Sequence, residues 1–272
     1  MEYINKNVLI TGGSRGIGKA IAKKLAQQGA NIAFVGKTVD PHPKLEGTIY
    51  TAAEEINLGP GKILPLQGDI RFEESIQSFV QSTVDAFGSI DILINNASAI
   101  NLFPTEQIET KRFDLMQSIN VRGTFLVSKA CIPHMKKSLN PHILNLSPPL
   151  NMDPSWFGKH LPYTMSKYGM SMIVLGLAEE LKKYRIGVNA LWPKTTIATA
   201  AVQNLLGGDF LIQRSRKPEI VADAASIILK SPSFECTGNF FIDEEVLQKA
   251  GIDDFSSYAI NPSQKLMPDL FL

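Results

Sequence analysis

Two cysteines, no membrane-length apolar run and almost no net charge define what this chain is not. Cys131 and Cys236 are the only thiols in 272 residues, and their spacing suits neither a metal cluster nor a disulfide framework. A reducing compartment is the natural setting, with both side chains packed as small hydrophobes. No apolar stretch approaches the roughly 20 residues that cross a bilayer, and Met1 to Lys6 runs straight into a strand pattern without room for a signal peptide. The end, Pro268-Asp269-Leu270-Phe271-Leu272, carries no peroxisomal or ER address. A cytoplasmic enzyme is therefore expected. A formal charge of +1 removes any broad attraction to nucleic acid or anionic membrane. Repeats, low-complexity tracts and long polar linkers are missing too. With 44% apolar residues the length suits one large α/β domain, read as residues 1–242 with 243–272 as its extension.

What is present begins with Asn7 to Thr11, a short apolar run closed by glycine, followed by helical spacing from Ile17 to Gln28. Strand, glycine turn and helix open a dinucleotide-binding unit. The turn TGGSRGIG places Gly12, Gly16 and Gly18 where a tight backbone approaches a pyrophosphate, whose charge meets the helix N-terminus. Asn31 to Val35 reads as a second strand. An acid after it would bind a ribose 2′-hydroxyl, a base a 2′-phosphate; here stand Gly36-Lys37-Thr38, with no carboxylate before Asp40. Lys37, with Arg15 from the glycine turn, points to NADP(H) rather than NAD(H); the alternative is that both cations are merely solvated.

Asp40-Pro41-His42-Pro43 is loop, Thr48 to Leu58 helix, and Lys62 to Gln67 a third strand. Asp69 beyond it either accepts from an adenine amino group or caps the helix from Phe72 to Phe87. Ile90 to Ile94 is a buried strand ending at Asn95-Asn96-Ala97-Ser98. Both asparagines are site candidates, because strand C-termini line the ligand crevice, or else simple turn residues. Thr110 to Lys137 reads as one long helix, kinked near Pro133. It carries Asn120 among apolar neighbours, as a structural hydrogen-bonder or the holder of a water. His142 to Leu146 is a fifth strand, bringing Ser147 to the same rim as Asn95.

Trp156 and Phe157, in the loop from Pro148 to Leu161, either cover a substrate pocket or pack on the domain body. The helix from Pro162 to about Tyr184 carries Tyr163 and Lys167, four residues apart and hence on one face. A phenol titrates near ~10, so proton transfer at neutral pH asks for roughly 4 kcal/mol of depression. An exposed lysine, worth under about 1 kcal/mol, cannot supply it; a dry pocket with further positive charge is required. Alone, such a pair is ordinary. Ile186 to Trp192 is a sixth strand, Ala198 to Ser215 a lid interrupted by Gly207-Gly208, Pro218 to Lys230 a helix, and Gly238 to Ile242 a last strand. The tail holds a short helix and then loop. Leu205, Leu206 and Phe210, with the two loop aromatics, hint at an apolar pocket. The alternation predicts a single Rossmann-type doubly wound parallel sheet of about seven strands, with helices on both faces.

TGGSRGIG, NNAS, Asn120, Ser147 and YTMSK, in that order and approximate spacing, resemble the short-chain dehydrogenase/reductase family over about Asn7 to Ile242. The resemblance implies a tetrad of Asn120, Ser147, Tyr163 and Lys167. Tyr163 would exchange a proton with the substrate oxygen, Ser147 would stabilise that oxygen, Lys167 would hold the ribose and lower the phenol pKa, and Asn120 would anchor a relay water. It also implies a cofactor cradle of Gly12, Ser14, Arg15, Gly16, Ile17, Gly18, Lys37, Asp69, Asn96, Ala97, Pro193 and Thr195, shared with Tyr163 and Lys167. Departures are Ser98, Lys194 and Glu244, where the family usually has glycine, and a longer loop before Tyr163. Lys194 meets an anionic group or is solvated; Glu244 and Glu245 suggest a different path for the tail. The expected reaction is hydride transfer between NADP(H) and a hydroxyl/carbonyl pair on an apolar small molecule such as a fatty-acyl, steroid-like or other ketone. The alternative is an NADP-binding regulator or redox sensor without turnover. A homodimer or homotetramer is implied, with Met170, Met172, Val174 and Leu175 as contact or core. KTVDPHPKL, SPPL and NALWPKT resemble members whose animal forms add a sterol-carrier domain, so action alone or with a separate lipid carrier is expected.

Overall fold

Seven short runs rich in Ile, Val and Leu lie side by side, because strands apolar on both faces must be covered on both. The computed structural model describes residues 1–41 and 47–272, so the loop expected at Asp40 to Pro43 lies partly outside the described residues. In chain order the elements are β1 (Asn7–Thr11), α1 (Gly16–Gln27), β2 (Asn31–Gly36), α2 (Ile49–Ile56), β3 (Ile63–Gln67), α3 (Glu73–Phe87) and β4 (Ile92–Asn95). Then come α4 (Thr110–Met116), a π-helical segment (Gln117–Gly123), α5 (Thr124–Met135), β5 (His142–Asn145), α6 (Pro154–Gly158), α7 (Leu161–Glu180) and β6 (Gly187–Trp192). A second π-helical turn (Val202–Leu206), α8 (Gly208–Ile212), α9 (Glu219–Ile228), β7 (Phe240–Ile242) and α10 (Asp243–Lys249) complete them.

The strands form one parallel sheet in the order β3-β2-β1-β4-β5-β6-β7. Strand side chains alternate between two cores, as the period of two requires. Val8, Ile10, Ile32 and Phe34 pack with α1 and α9, while Leu9, Ala33, Val35 and Leu93 pack with α3, α5 and α7. Pro65, which cannot donate to a ladder, sits in edge strand β3. The strand order reverses between β1 and β4, which pair with Thr11 opposite Asn95, and a crevice opens beyond their C-terminal ends.

Several expectations change. The long helix is irregular at Gln117–Gly123 rather than at Pro133, which α5 accommodates within its length. The widened turns carry Asn120, whose side chain is pulled to the backbone of Ala99. The loop before α7 contains α6, capped by Asp153, and its aromatics pack on the domain body: Trp156 lies 5.6 Å from Phe271 and Phe157 5.5 Å from Tyr168, centroid to centroid. The stretch expected as a lid is pinned at both ends by pairing of Ile197 with Arg216 and by a Thr196–Ser215 hydroxyl bond. On α7, Met170 and Val174 are core, whereas Met172 and Leu175 face outward.

The tail is the largest departure. Beyond α10 the chain returns as a strap: Thr196 and Asp269 donate backbone N–H groups to Met267 and Lys194, and Met267 donates to Arg214. Trp192 Nε1 donates to the Leu270 carbonyl at 2.9 Å. Phe271, 1% exposed, enters a cluster with Trp156, His160, Tyr163, Tyr168 and Trp192. Truncation of so enclosed a ring removes both transfer energy and packing, so Phe271→Ala should lose about 3–5 kcal/mol of unfolding free energy in urea titrations; a loss under about 1 kcal/mol would show the ring to be peripheral.

Candidate active site

The crevice begins with backbone that only glycine permits. Gly12 and Gly16 adopt φ of +69° and +55°, and a Cβ on Gly18 would stand 2.5 Å from both Asn96 Nδ2 and the Gly12 carbonyl. The space so preserved is a cavity of about 420 Å³ lined by Gly12, Ser14, Arg15, Gly16, Ile17, Lys37, Asp69, Asn96 and Ala97, among others. Asn96 donates through Nδ2 to the carbonyls of Thr11 and Gly12 and so locks the turn to β4. Asn95 is not on the rim: it is buried, its Nδ2 donating to Ser128 and Asn145, while its Oδ1 has no partner among the described residues.

Asp69 does not cap α3, whose N-cap is Phe72. Burial opposes its ionisation, yet the forked Arg71 guanidinium and Lys37, 3.6 Å away, hold its carboxyl below the ordinary range. Two cations therefore line this end, Lys37 and Arg15, against a carboxylate already gripped by Arg71. Arg15 Nε is buried without a hydrogen-bond partner among the described residues.

A second cavity, also about 420 Å³, shares Ile17, Asn96, Ser98, Thr199 and Ala201 with the first, so the two are continuous. Tyr163 and Lys167, one turn apart on α7, both line it. Lys167, 3% exposed, donates from Nζ to the Leu146 carbonyl at 2.6 Å and lies 5.0 Å from the Trp192 ring centre. Ser171 donates to the Pro148 carbonyl at 2.6 Å. These two bonds staple α7 to the end of β5, with Ser147 between them. Ser147 is fully buried and its hydroxyl has no partner among the described residues, an unspent donor beside the cavity wall at Leu146.

The electrostatics run against the expected acidic phenol. Burial, and then the Asp269 charge, push the Tyr163 hydroxyl well above the ordinary phenol range. Burial also brings Lys167 down to about 7, opposed by Asp269. The lysine alone therefore does not acidify the tyrosine; desolvation dominates both groups. Asn120 is likewise more committed than expected. Its Nδ2 donates to Ala99 and Ser166, and its Oδ1 accepts from Ala99 and Ser98, so its side chain has no capacity left for a water. Pro193 lines the second cavity, but Thr195 does not: it faces the strap as partner of Pro268, and Thr196 and Thr199 line the cavity instead. Lys194 is exposed, and Glu244 pairs with Arg216. Of the apolar hints only Leu206 lines the cavity; Leu205 and Phe210 are exposed.

The glycine crevice running into a Tyr/Lys cavity agrees with comparison across known proteins: the family model described as short chain dehydrogenase matches residues 6–207. The chain belongs to the short-chain dehydrogenase family. Relatives include hydroxysteroid dehydrogenase-like protein 2 of Danio rerio and of Homo sapiens, 59% and 58% identical over 97% of this chain. The chain spans 63% of the length of each. Among solved structures, a candidate dehydrogenase from Xanthomonas campestris superposes with a TM-score of 0.96 at 49% identity, covering 100% of this chain and 99% of that one. A short chain dehydrogenase from Mycobacterium thermoresistibile gives 0.93 at 55%, covering 99% and 95%. Members of this family use a nicotinamide cofactor. No helix among the described residues is long and apolar enough to cross a membrane.

Missed from the sequence were Thr199, Met267, Asp269 and Leu270, all lining the second cavity. Apart from the glycine turn, no local pattern marks residues that reach the site only because the strap folds back. Asp243 was also missed; its Oδ1 accepts from the backbones of Lys194 and Glu244, and its Oδ2 is unpartnered among the described residues. Burial pushes its pKa up to about 6. A carboxyl raised in the folded state adds stability that is complete below its unfolded pKa and is lost as pH rises through the folded one. Relative to Asp243→Asn, the wild type should therefore lose roughly 3 kcal/mol between about pH 4 and pH 6 in denaturant titrations; a pH-independent difference would show that Asp243 does not titrate in that window.

Proposed function

We propose that the protein is an NADP(H)-dependent oxidoreductase that interconverts a hydroxyl and a carbonyl on an apolar small molecule. The observation carrying this reading is that Tyr163 and Lys167 line a desolvated, largely apolar cavity continuous with the glycine crevice. The cradle of Gly12, Ser14, Arg15, Gly16, Ile17, Lys37, Asp69, Asn96 and Ala97 fits a dinucleotide: its glycines admit close backbone approach, with Gly18 keeping room behind the turn. The orphaned Arg15 Nε, with Lys37, favours the form carrying a 2′-phosphate. Bound NADP(H) supplies the hydride acceptor or donor and, when oxidised, a positive charge.

The chain's own residues do the rest. In reduction Tyr163, kept protonated by burial, gives its proton to the carbonyl oxygen and is left as a phenolate; in the reverse direction that phenolate takes the hydroxyl proton and returns to the phenol. Ser147, whose hydroxyl is otherwise unused, donates a hydrogen bond to the same oxygen. Lys167 is held by Leu146 at a depth where its charge acts undiluted by water, and offers its remaining N–H groups to ribose hydroxyls. Asn120 positions the cavity rim at Ser98 and Ala99 against Ser166 of α7 rather than holding a water. The apolar lining from Ile100, Leu102, Trp192 and Leu206 favours fatty-acyl, steroid-like or other ketones and excludes water from the proton transfer.

Following NADPH absorbance with a panel of aldehydes, ketones and 3-oxoacyl thioesters tests this. Tyr163→Phe should lower turnover by 10²-fold or more while leaving NADPH binding intact; cofactor binding without turnover on any panel member would instead indicate a binding protein. Lys37→Glu should weaken NADPH relative to NADH by roughly 10- to 100-fold, the worth of a charged hydrogen bond. An unchanged cofactor ratio would remove Lys37 from the phosphate site.

A further inference from the structure

The strap places a carboxylate in the wall of the cavity that holds Tyr163. Asp269 lies outside residues 6–207, the span shared with the family model, yet it lines the cavity with Tyr163 and Lys167. Its position is built: the backbone N–H of Asp269 donates to the Lys194 carbonyl, Pro268 pairs with Thr195, and the neighbouring Leu270 carbonyl accepts from Trp192. Oδ1 accepts from the Leu270 N–H at 2.7 Å; the other oxygen has no partner among the described residues. Around it the walls are Ile100, Leu102, Trp192, Met267 and Leu270. A carboxylate oxygen in apolar surroundings is costly unless something donates to it; Lys167, the one ammonium among the described residues that lines the cavity, attracts it through space, but its hydrogen bonds go to the Leu146 carbonyl and Met170 Sδ.

We propose that Asp269 is a specificity-determining residue, whose free oxygen accepts a hydrogen bond from the substrate, so that the preferred substrates are carbonyl or alcohol compounds bearing a second hydroxyl or a protonated amine. This deepens, and rests on, the carbonyl/hydroxyl reading above. A site built around a half-buried acceptor in an apolar wall penalises an analogue without the donor, because the acceptor is then left without its partner from the substrate. A substrate carboxylate facing it is penalised by like charge as well. The charged and titratable groups around Asp269 are Lys167 and Tyr163 of α7 and Asp243 of α10, the last close to the Arg216–Glu244 pair. Burial raises the Asp269 pKa to about 7, so the preference is read at pH 8.

The test uses aliphatic ketones matched in length, ending in methyl, hydroxyl, ammonium or carboxylate two to six carbons from the carbonyl, with the corresponding alcohols as binding probes in the presence of cofactor. For the wild type at pH 8, the best hydroxyl- or ammonium-bearing member should exceed its methyl homologue by roughly 10-fold or more in kcat/KM, and its alcohol should do so in Kd. Asp269→Asn should keep the hydroxyl preference and lose the ammonium preference. Asp269→Leu, of similar size and without an acceptor, should favour the methyl homologue. If no member turns over but the donor-bearing alcohols still bind tighter to wild type than to Asp269→Leu, the redox reading fails and the recognition role stands. An identical ranking in wild type and both variants, or no donor preference in wild-type binding, overturns the proposal.

Discussion

A buried ammonium is the constraint around which this molecule is arranged. Lys167 sits at the seam between α7, the end of β5 and the strap, and a charge at 3% exposure is tolerable only where hydrogen-bond acceptors and countercharge are built around it. The Leu146 carbonyl, the Trp192 ring and the Asp269 carboxylate meet that demand from three parts of the chain that are far apart in sequence. The bond to Leu146 also fixes α7 against β5, so that Ser147 lies between two stapled carbonyls. Holding one charge thus sets the relative placement of the hydroxyls and the ammonium on which the proposed chemistry rests.

Desolvation gives these groups a character that their identities alone do not. In the chain by itself burial keeps Tyr163 protonated and brings Lys167 toward neutrality, so the pair is not an acid made strong by its neighbour. It is a proton donor and a weakly held charge in a dry space, sensitive to any further charge brought into the cavity. Phe271 adds to this dryness by stacking on Tyr163 with centroids 6.1 Å apart. The aromatic cluster that includes the cavity-lining Tyr163 and Trp192 is therefore assembled by the tail as much as by α7.

The polar residues divide between chemistry and construction in a way that their motif positions conceal. Asn95 and Asn96 are adjacent, yet the pleat sends the first into the sheet and the second to the glycine turn. Asn120, in a π-helical segment, spends all of its side-chain hydrogen-bonding capacity on the rim and on Ser166. Ser147 spends none among the described residues. Saturated groups hold geometry; the unsaturated Ser147 hydroxyl, next in sequence to Leu146 of the cavity wall, has a bond left to offer.

From the sequence by itself came the parallel order of strands and helices, the glycine crevice and the one-face placement of Tyr163 and Lys167. Each is a local property, set by side-chain periods of two or 3.6 and by turn residues within a few positions. Element boundaries moved by one to four residues, and the irregularity at Gln117–Gly123 was illegible because it answers a contact with Ala99 across the site. Only the tertiary structure decided that Asn95 is structural, that Trp156 packs on the tail and Phe157 on α7, that Thr196 rather than Thr195 faces the cavity, and that Asp269 and Phe271 reach the site at all. Those outcomes depend on contacts between separate elements of the fold, whose energy comes from desolvation and shape, and neither leaves a periodic trace in the chain.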